Sequence, residues 1–424
     1  MNILFMHQNF PGQFKFLAPA LAARGHRVLA LVLKKSVDRT WGGVELVPYD
    51  VSQGSTAGVH PWVTDFETKV IRAEGAFRAC RALRDAGFLP DVIISHPGWG
   101  ESLFVKEVWP RARLGIFCEF FYLPEGADTG FDPEFPSADP AHDACRLKMK
   151  NLNNYLHFEI ADAAIAPTIW QASTFPEPFR SRITVVHDGV DTNSIRPKPD
   201  VRLDLGRSNA ETRLSLTRAD EVITFVNRNL EPMRGFHVFM RALPELLRRR
   251  PKAHVIIVGK DGVSYGAKPS REKNGFSTWK QVFCNEVRGR IPESDWARVH
   301  FVGHVPYENF VALLQLTSVH VYLTYPFVLS WSLIEAMSAG AAIVASDTSP
   351  LHEVIKSGEN GLLVDFFSGD ALVQSISQLL DDADARKRLG MAARRTAVEK
   401  YDLKSVCLPK QLEWVEALAR MQQR

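Results

Sequence analysis

The stretch VYLTYPFVLSWSLIEAMSAGAAIVASDTSP, from Val321 to Pro350, restricts the fold more than any other part of the chain. Its β-branched apolar start predicts a buried strand, and a short loop follows. From Ser330 to Ser338, Leu333, Ile334 and Met337 fall at helical spacing around Glu335. Gly340 stops that helix, and Ala341 to Ser346 supplies a second apolar strand. Strand, loop, helix and strand form a βαβ unit, which requires a parallel sheet, and its loop lies where such sheets hold anions. Ser330 and Ser332 are placed to cap the helix, and amides beside them would face a phosphate. Glu335, a turn further in, would reach a sugar hydroxyl.

The rest of the chain supplies the bulk such a unit needs: 424 residues suit two α/β domains with full cores. A net charge of +3, without interleaved aromatic and basic residues, excludes a nucleic-acid binder. Cys80, Cys118, Cys145, Cys284 and Cys407 are odd in number and lack metal spacing, which predicts reduced thiols in a cytoplasm. MNILFMHQNF has no basic n-region and reads as a first strand, not a signal peptide. No apolar run reaches the roughly 18 residues of a membrane span; a peripheral contact at the inner face of a membrane is left open.

In the first half, Asn2–Met6 and Arg27–Leu33 are strands joined through the turn HQNFPGQF and a helix with Phe14, Leu17 and Leu21 on its buried face. Two readings stand for Gly12: a tight turn, or close approach of backbone to a ligand. A helix from Asp65 to Gly87 precedes the strand Asp91–Ser95, and HPGWGES follows at its C-terminal end, where open α/β sheets carry function. His96 is therefore either a ligand contact or a turn histidine bonding local backbone. Trp99 could stack on a sugar face or simply be buried. The apolar strand Leu114–Phe120 carries Glu119, whose carboxylate needs a salt bridge or a cleft, so structural and acceptor-contact roles both stand. Residues 123–140 are long for a plain connection and read as a lid or acceptor loop.

The polar stretch Thr192–Asp220, with Pro197 and Pro199, reads as the linker between domains. Beyond it the strand Glu221–Val226 leads through NRNLEPMRG into a helix from Phe236 to Arg249. Arg228 and Arg234 before a helix N-terminus suit a diphosphate. The strand Ala253–Gly259 ends at a glycine that admits a nucleotide, and a polar surface insertion runs on to Lys280. Val299–Gly303 is a strand turning into HVP.

These motifs resemble the family 4 retaining glycosyltransferases of group 1 type, with the GT-B fold. That family's loop has two glutamates separated by seven residues, then Ala-Met-x-x-Gly. Here the second is Glu335, followed by Ala336, Met337 and Gly340, and the first falls on Phe327. HDGVD, His187 to Asp191, resembles the Gly-Val-Asp signature closing the first domain. The resemblance implies two Rossmann-like doubly wound domains facing a central cleft: 1–196 on the acceptor side, 197–400 for the nucleotide sugar, and a C-terminal helix, 401–424, crossing back. It implies that Arg228 holds the donor phosphates with Arg234, one residue later than usual and Arg for Lys. Gly303 and Val305 would meet the nucleobase. Gly12, Gly259, Phe327, Val328, Leu329, Ser330, Trp331 and Glu335 would complete the donor site. His96 would lie beside the donor sugar, with Trp99 and Glu119 toward the acceptor.

The implied activity is retaining transfer from a nucleotide-diphosphate sugar, UDP-sugar ahead of GDP-sugar, to a glycan, lipid-linked or small-molecule acceptor. Neither metal nor cofactor is expected, and the leaving phosphate would deprotonate the acceptor. Phenylalanine cannot accept a hydrogen bond, so Phe327 leaves three readings of the sugar site. Recognition falls to backbone from Phe327 to Ser330, or the sugar is unusual, or the protein binds without transfer. A nucleotide-sugar 2-epimerase of GT-B fold and a catalytically silent nucleotide-sugar binder are the alternatives.

Overall fold

The computed structural model describes residues 1–33, 38–205 and 214–422. The chain forms two compact units, one of Met1–Gly189 with Lys404–Arg424, the other of Val190–Leu403.

The first unit is built on the strands β1 (Asn2–Met6), β2 (Arg27–Val32), β3 (Thr40–Trp41), β4 (Val44–Pro48), β5 (Val92–Ser95), β6 (Arg113–Phe117), β7 (Ala163–Ala166) and β8 (Ile183–Val185). They lie in the order β3-β4-β2-β1-β5-β6-β7-β8. All neighbours are parallel except the β3–β4 pair. Strands covered on both faces read as unbroken apolar runs, and ILFM and VII in β1 and β5 are fully buried. Leu4, Leu29, Ile93 and Leu114 pack on one face of the sheet. On the other, Ile3, Phe5 and Ile94 pack with Trp414, Val415 and Leu418 of the last helix, Leu408–Arg420. A Cβ on Gly115 would sit 2.5 Å from the Trp414 ring, so the helix needs a glycine beneath it.

The second unit opens with the antiparallel pair β9 (Arg202–Leu205) and β10 (Leu214–Thr217). Its main sheet has β11 (Val222–Asn229), β12 (His254–Lys260), β13 (Val299–Gly303), β14 (Val319–Tyr322), β15 (Ala342–Ser346) and β16 (Leu362–Val364). The order is β13-β12-β11-β14-β15-β16, parallel throughout. Phe225 of β11 stacks on Phe239 of the helix Phe236–Arg249, ring centroids 4.5 Å apart. The helix Trp331–Ser338 buries Leu333, Ile334 and Met337 against Ala393 and Ala397 of the helix Ala383–Tyr401.

Each sheet reverses strand order at one place, β1 against β5 in the first unit and β11 against β14 in the second. Loops leaving adjacent strands there diverge and open a crevice. His7 and His96 follow β1 and β5; Arg234 and Phe327 follow β11 and β14.

Four expectations need correction. The stretch 192–220 is more than a linker, because it holds β9 and β10, with Leu216 buried beside Val222 and Leu316. The domain boundary falls at Gly189, ahead of residue 196. Val190 pairs with Asp402, the Leu403 amide donates to Val190 O at 2.9 Å, Thr192 Oγ1 donates to Asp402, and Ile195 is buried in the second unit's core. Tyr401 to Leu403 stay with that unit for the same reason, so the returning tail starts at Lys404. The insertion before Lys280 gives way to a helix already at Trp279, where Thr278 accepts the Gln281 amide as N-cap. Among the described residues no helix is long and apolar enough to cross a membrane.

Candidate active site

In the first unit the turns after β1 and β5 meet over a polar relay. His7 is buried; its Nδ1 accepts the Asn9 amide at 3.0 Å, so the proton sits on Nε2 and is donated to Gln13 Oε1 at 2.8 Å. Gln13 Nε2 then donates to Glu119 Oε1 at 3.2 Å. His96, also buried, caps the turn Pro97–Trp99 by accepting the Gly98 amide on Nδ1 at 3.1 Å. Its proton is thereby placed on Nε2, which faces Glu119 Oε2 at 3.4 Å. Burial lowers His7 to a pKa of about 4, with the neighbouring His96 acting in the same direction. Desolvation works to raise Glu119, but His96, His7 and Gln13 outweigh it and hold the carboxyl below its ordinary range.

His96, Trp99 and Glu119 line one cavity of about 370 Å³ together with Lys69, Arg72 and Lys150. The Trp99 ring lies 4.5 Å from His96 and 4.6 Å from His7. Lys69 is buried and paired with Asp65, one helical turn earlier. Arg72 makes no hydrogen bond or ion pair among the described residues. Lys150 sits 3.6 Å above the Tyr122 ring, and burial lowers its pKa to about 8. Gly12 does not line this cavity; at φ +47° it passes so close to His7 that a Cβ would lie 2.2 Å from Nε2. Its conformation makes room for the relay. Beneath it, Tyr49 donates to the buried Glu101 at 2.7 Å, and burial raises Glu101 to about 7.

In the second unit, Arg228, Val305 and Ser330 line a cavity of about 240 Å³, shared with Asn227, His304 and Tyr307. Arg228 is exposed and has no partner among the described residues. Tyr307, the first residue of the helix Tyr307–Leu316, donates to Glu335 Oε1 at 2.6 Å. Burial first, and then the Glu335 charge, raises the Tyr307 phenol, which keeps it a donor. Ser330 caps the Trp331–Ser338 helix by accepting the Ser332 amide at 3.3 Å. Its own amide is given to Tyr322 Oη at 3.0 Å, so it is already engaged.

Arg234 behaves differently from Arg228. Only 7% exposed, it donates through Nη1 to Thr324 Oγ1 at 2.8 Å and to the Val328 carbonyl at 3.3 Å. Its guanidinium lies over the rings of Tyr265 and Phe327, 5.5 and 5.9 Å from their centroids. Phe327 is thus the apolar shelf under a buried cation, which accounts for an aromatic residue at that position. Arg234 supports the Phe327–Ser330 loop from behind, and Arg228 lines the cavity alone of the two.

The remaining donor-loop positions are structural to differing degrees. Val328 and Leu329 are buried, Leu329 within the core; Trp331 is half-buried at the helix start. A Cβ on Gly259 would meet Leu230 at 2.7 Å, so that glycine lets β12 pass under the loop after β11. Gly303 has φ +64°, which turns the chain toward Val305. Sequence reasoning passed over His7, Gln13, Lys69, Lys150, Tyr265 and Tyr307. A histidine and a glutamine flanking the first βα turn were a usable signal; a tyrosine opening the helix after Val305 was another.

Residues 24–195 match the Glycosyl transferase family 4 group, and residues 209–396 match the Glycosyl transferases group 1 family. Residues 209–396 thus carry a glycosyl transferases group 1 domain. A D-inositol 3-phosphate glycosyltransferase of Nocardia farcinica is 28% identical over 238 residues, 55% of this chain and 48% of that protein. A phosphatidyl-myo-inositol mannosyltransferase of Mycolicibacterium smegmatis is 28% identical over 188 residues, 44% and 42% of the two chains. The chain spans about half the length of the curated relatives it matches. Among solved structures, sucrose-phosphate synthase from Thermosynechococcus elongatus superposes with a TM-score of 0.72 at 17% identity, covering 99% of this chain and 100% of that one. Anabaena Alr3699/HepE, in complex with UDP and glucose, gives 0.64 at 17% identity over 98% and 100%. The chain therefore has the GT-B fold of those proteins, two α/β domains with parallel sheets.

Proposed function

We propose that the chain transfers a sugar, with retention of anomeric configuration, from a nucleotide-diphosphate sugar to a hydroxyl acceptor, a UDP-sugar ahead of a GDP-sugar. The observation that carries this reading is the cavity of Arg228, Val305 and Ser330 beside the Tyr307–Glu335 pair. An exposed guanidinium suits a diphosphate, and a buried carboxylate suits ribose hydroxyls. The UDP held by the Anabaena protein supports the choice of base. Arg228 and the loop amides would stabilise the leaving diphosphate without a metal. As the C1–phosphate bond breaks, the acceptor oxygen bonds to C1 on the same face and its proton passes to the leaving phosphate. His96, donating from Nε2, would orient an oxygen near C1 and form no covalent bond.

The acceptor side carries Lys69, Arg72 and Lys150 around one cavity, so the reading extends to an acceptor bearing an anionic group such as a phosphate. The Nocardia relative, named for an inositol phosphate, supports it. The unbridged buried thiols Cys80, Cys118 and Cys407 agree with a cytoplasmic setting, and a phospholipid-linked acceptor would bring the protein to the membrane's inner face.

Thermal-shift measurement against UDP, GDP, ADP and dTDP sugars tests the donor, with UDP-sugars expected to stabilise most. Slow hydrolysis of the stabilising donor without acceptor is the expected turnover. Interconversion of sugar epimers would make the chain an epimerase, and tight binding without turnover a silent binder.

A further inference from the structure

The second unit has another cavity, of about 370 Å³, at the opposite ends of β14 and β15 from the Phe327–Ser330 loop. Ser318, just before β14, and Ala342, which opens β15, lie on its wall, so it is separate from the cavity of Arg228 and Ser330. Its charged lining consists of Arg218, Arg386, Lys387 and Arg394, and among the described residues no carboxylate lines it. The chain as a whole is nearly balanced, with 51 Lys and Arg against 48 Asp and Glu, so four cations without an acid are a local excess.

Several other arginines of the same unit are paired with carboxylates. Arg241 pairs with Glu286, Arg248 and Arg249 with Glu245, Arg250 with Glu221, and Arg288 with Glu293. The three arginines of the cavity have no carboxylate partner among the described residues. They are tethered to carbonyls instead. Arg218 Nη1 donates to Gln315 O at 2.9 Å, and Arg386 Nη1 to Leu379 O and Leu380 O, both at 2.6 Å. Arg394 Nη1 donates to Ser338 O at 2.6 Å. These bonds fix the guanidinium groups while leaving their positive charge uncancelled. The remaining N–H groups of Arg218 and Arg386 have no partner among the described residues. Gathering like charges in a partly enclosed space is unfavourable unless an anion joins them.

Two further features narrow the ligand. The N-terminus of the 19-residue helix Ala383–Tyr401 reaches the wall at Ala383, adding its positive dipole end; Asp382, which caps that helix, does not line the cavity. Pro197, Leu316 and Met391 make part of the wall apolar beside Thr317 and Ser318, and the volume lies within the range of small-molecule sites. A polarisable methionine beside proline and leucine suits a flat ring better than a hydroxylated one.

We propose that this cavity is a second anion site, which takes a phosphomonoester with a flat or apolar body of nucleotide size. The proposal does not depend on which sugar, if any, the other cavity handles.

AMP is the probe, with adenosine as the uncharged control, in calorimetric titrations of the full chain with UDP saturating the donor cavity. AMP is expected to bind at one equivalent and adenosine at least tenfold more weakly. Arg218 and Lys387 are exposed, so the double variant Arg218→Glu, Lys387→Glu should fold. It is expected to lose at least tenfold in AMP affinity with UDP affinity unchanged. No AMP binding, equal binding of adenosine, or unchanged AMP affinity in the double variant would overturn the site. So would loss of AMP binding in Arg228→Ala, since the ligand would then sit in the donor cavity.

Discussion

Tyr307 donates its phenolic proton to Glu335 across 2.6 Å; Tyr307 opens one helix of the second unit, and Glu335 lies one turn inside another. Glu335 is 7% exposed, so one oxygen of a buried carboxylate is fixed before any ligand arrives. A hydrogen bond to a charged group contributes about 1.5–3 kcal/mol. Tyr307→Phe is therefore expected to weaken UDP binding about tenfold, the equivalent of about 1.4 kcal/mol. Glu335→Ala should weaken it further. Calorimetry reads both, and native affinity in Glu335→Ala would remove the carboxylate from the nucleotide site.

Arg228 and Arg234 should separate in their effects. Arg228→Ala is expected to cut turnover by about 10²–10³ while the melting temperature stays put, since its guanidinium holds nothing else. Arg234→Ala would remove the donor to the Val328 carbonyl and to Thr324 Oγ1 and open a gap between two rings. Its expected cost is about 2–4 kcal/mol of stability alongside lost turnover. Chemical denaturation paired with rates at saturating donor distinguishes the two. Equal stability losses would show that Arg228 is also built into the fold.

Lys150 gives the acceptor side a pH signature. With burial lowering it to about 8, it is charged below that pH and neutral above. The Michaelis constant for an anionic acceptor should therefore climb as pH passes about 8, and Lys150→Arg should flatten the profile. Stability moves the other way. Between about 8 and the unfolded value of 10.5 the unfolded chain binds more protons, so this residue's contribution improves as pH rises across that window. A profile unchanged by Lys150→Arg would place the anion elsewhere.

Glu101 titrates with the opposite sign. Its carboxyl, raised by burial from 4.5 to about 7, is protonated in the folded chain where the unfolded chain has ionised. The folded state holds more protons between those values, so stability falls as pH rises through the window, by on the order of 3 kcal/mol. Glu101→Gln keeps the shape and abolishes the titration. Its melting temperature should exceed the parent's at pH 8 and match it near pH 4, as read by thermal denaturation.

Turnover should also survive a chelator. If Arg228 and main-chain amides carry the leaving group, excess EDTA leaves the rate unchanged, and loss of rate restored by magnesium would mean that a cation shares that task.

The sheets were legible because parallel strands covered on both sides leave unbroken apolar runs. ILFM, VII and AIVA announce themselves, and the helix around Glu335 is bounded by Ser330 and Gly340. Relationships across distance were not legible. Gln13 and Glu119 are 106 positions apart, and only the adjacency of β1, β5 and β6 joins them. Arg234 looks in sequence like a second exposed phosphate ligand, yet Tyr265, from a segment that reads as a surface insertion, covers it. The short strands β9 and β10 alternate polar and apolar residues over only four positions each, a signal outweighed by the polar stretch and prolines around them.

The pairing of Val190 with Asp402, and the Leu403 amide's bond to Val190 O, bring the two ends of the Val190–Leu403 unit side by side. That unit is thus a cassette whose two ends meet. It should be possible to excise it as a free-standing domain, or to rejoin its ends and open it at a surface loop, without breaking a strand of its own sheet.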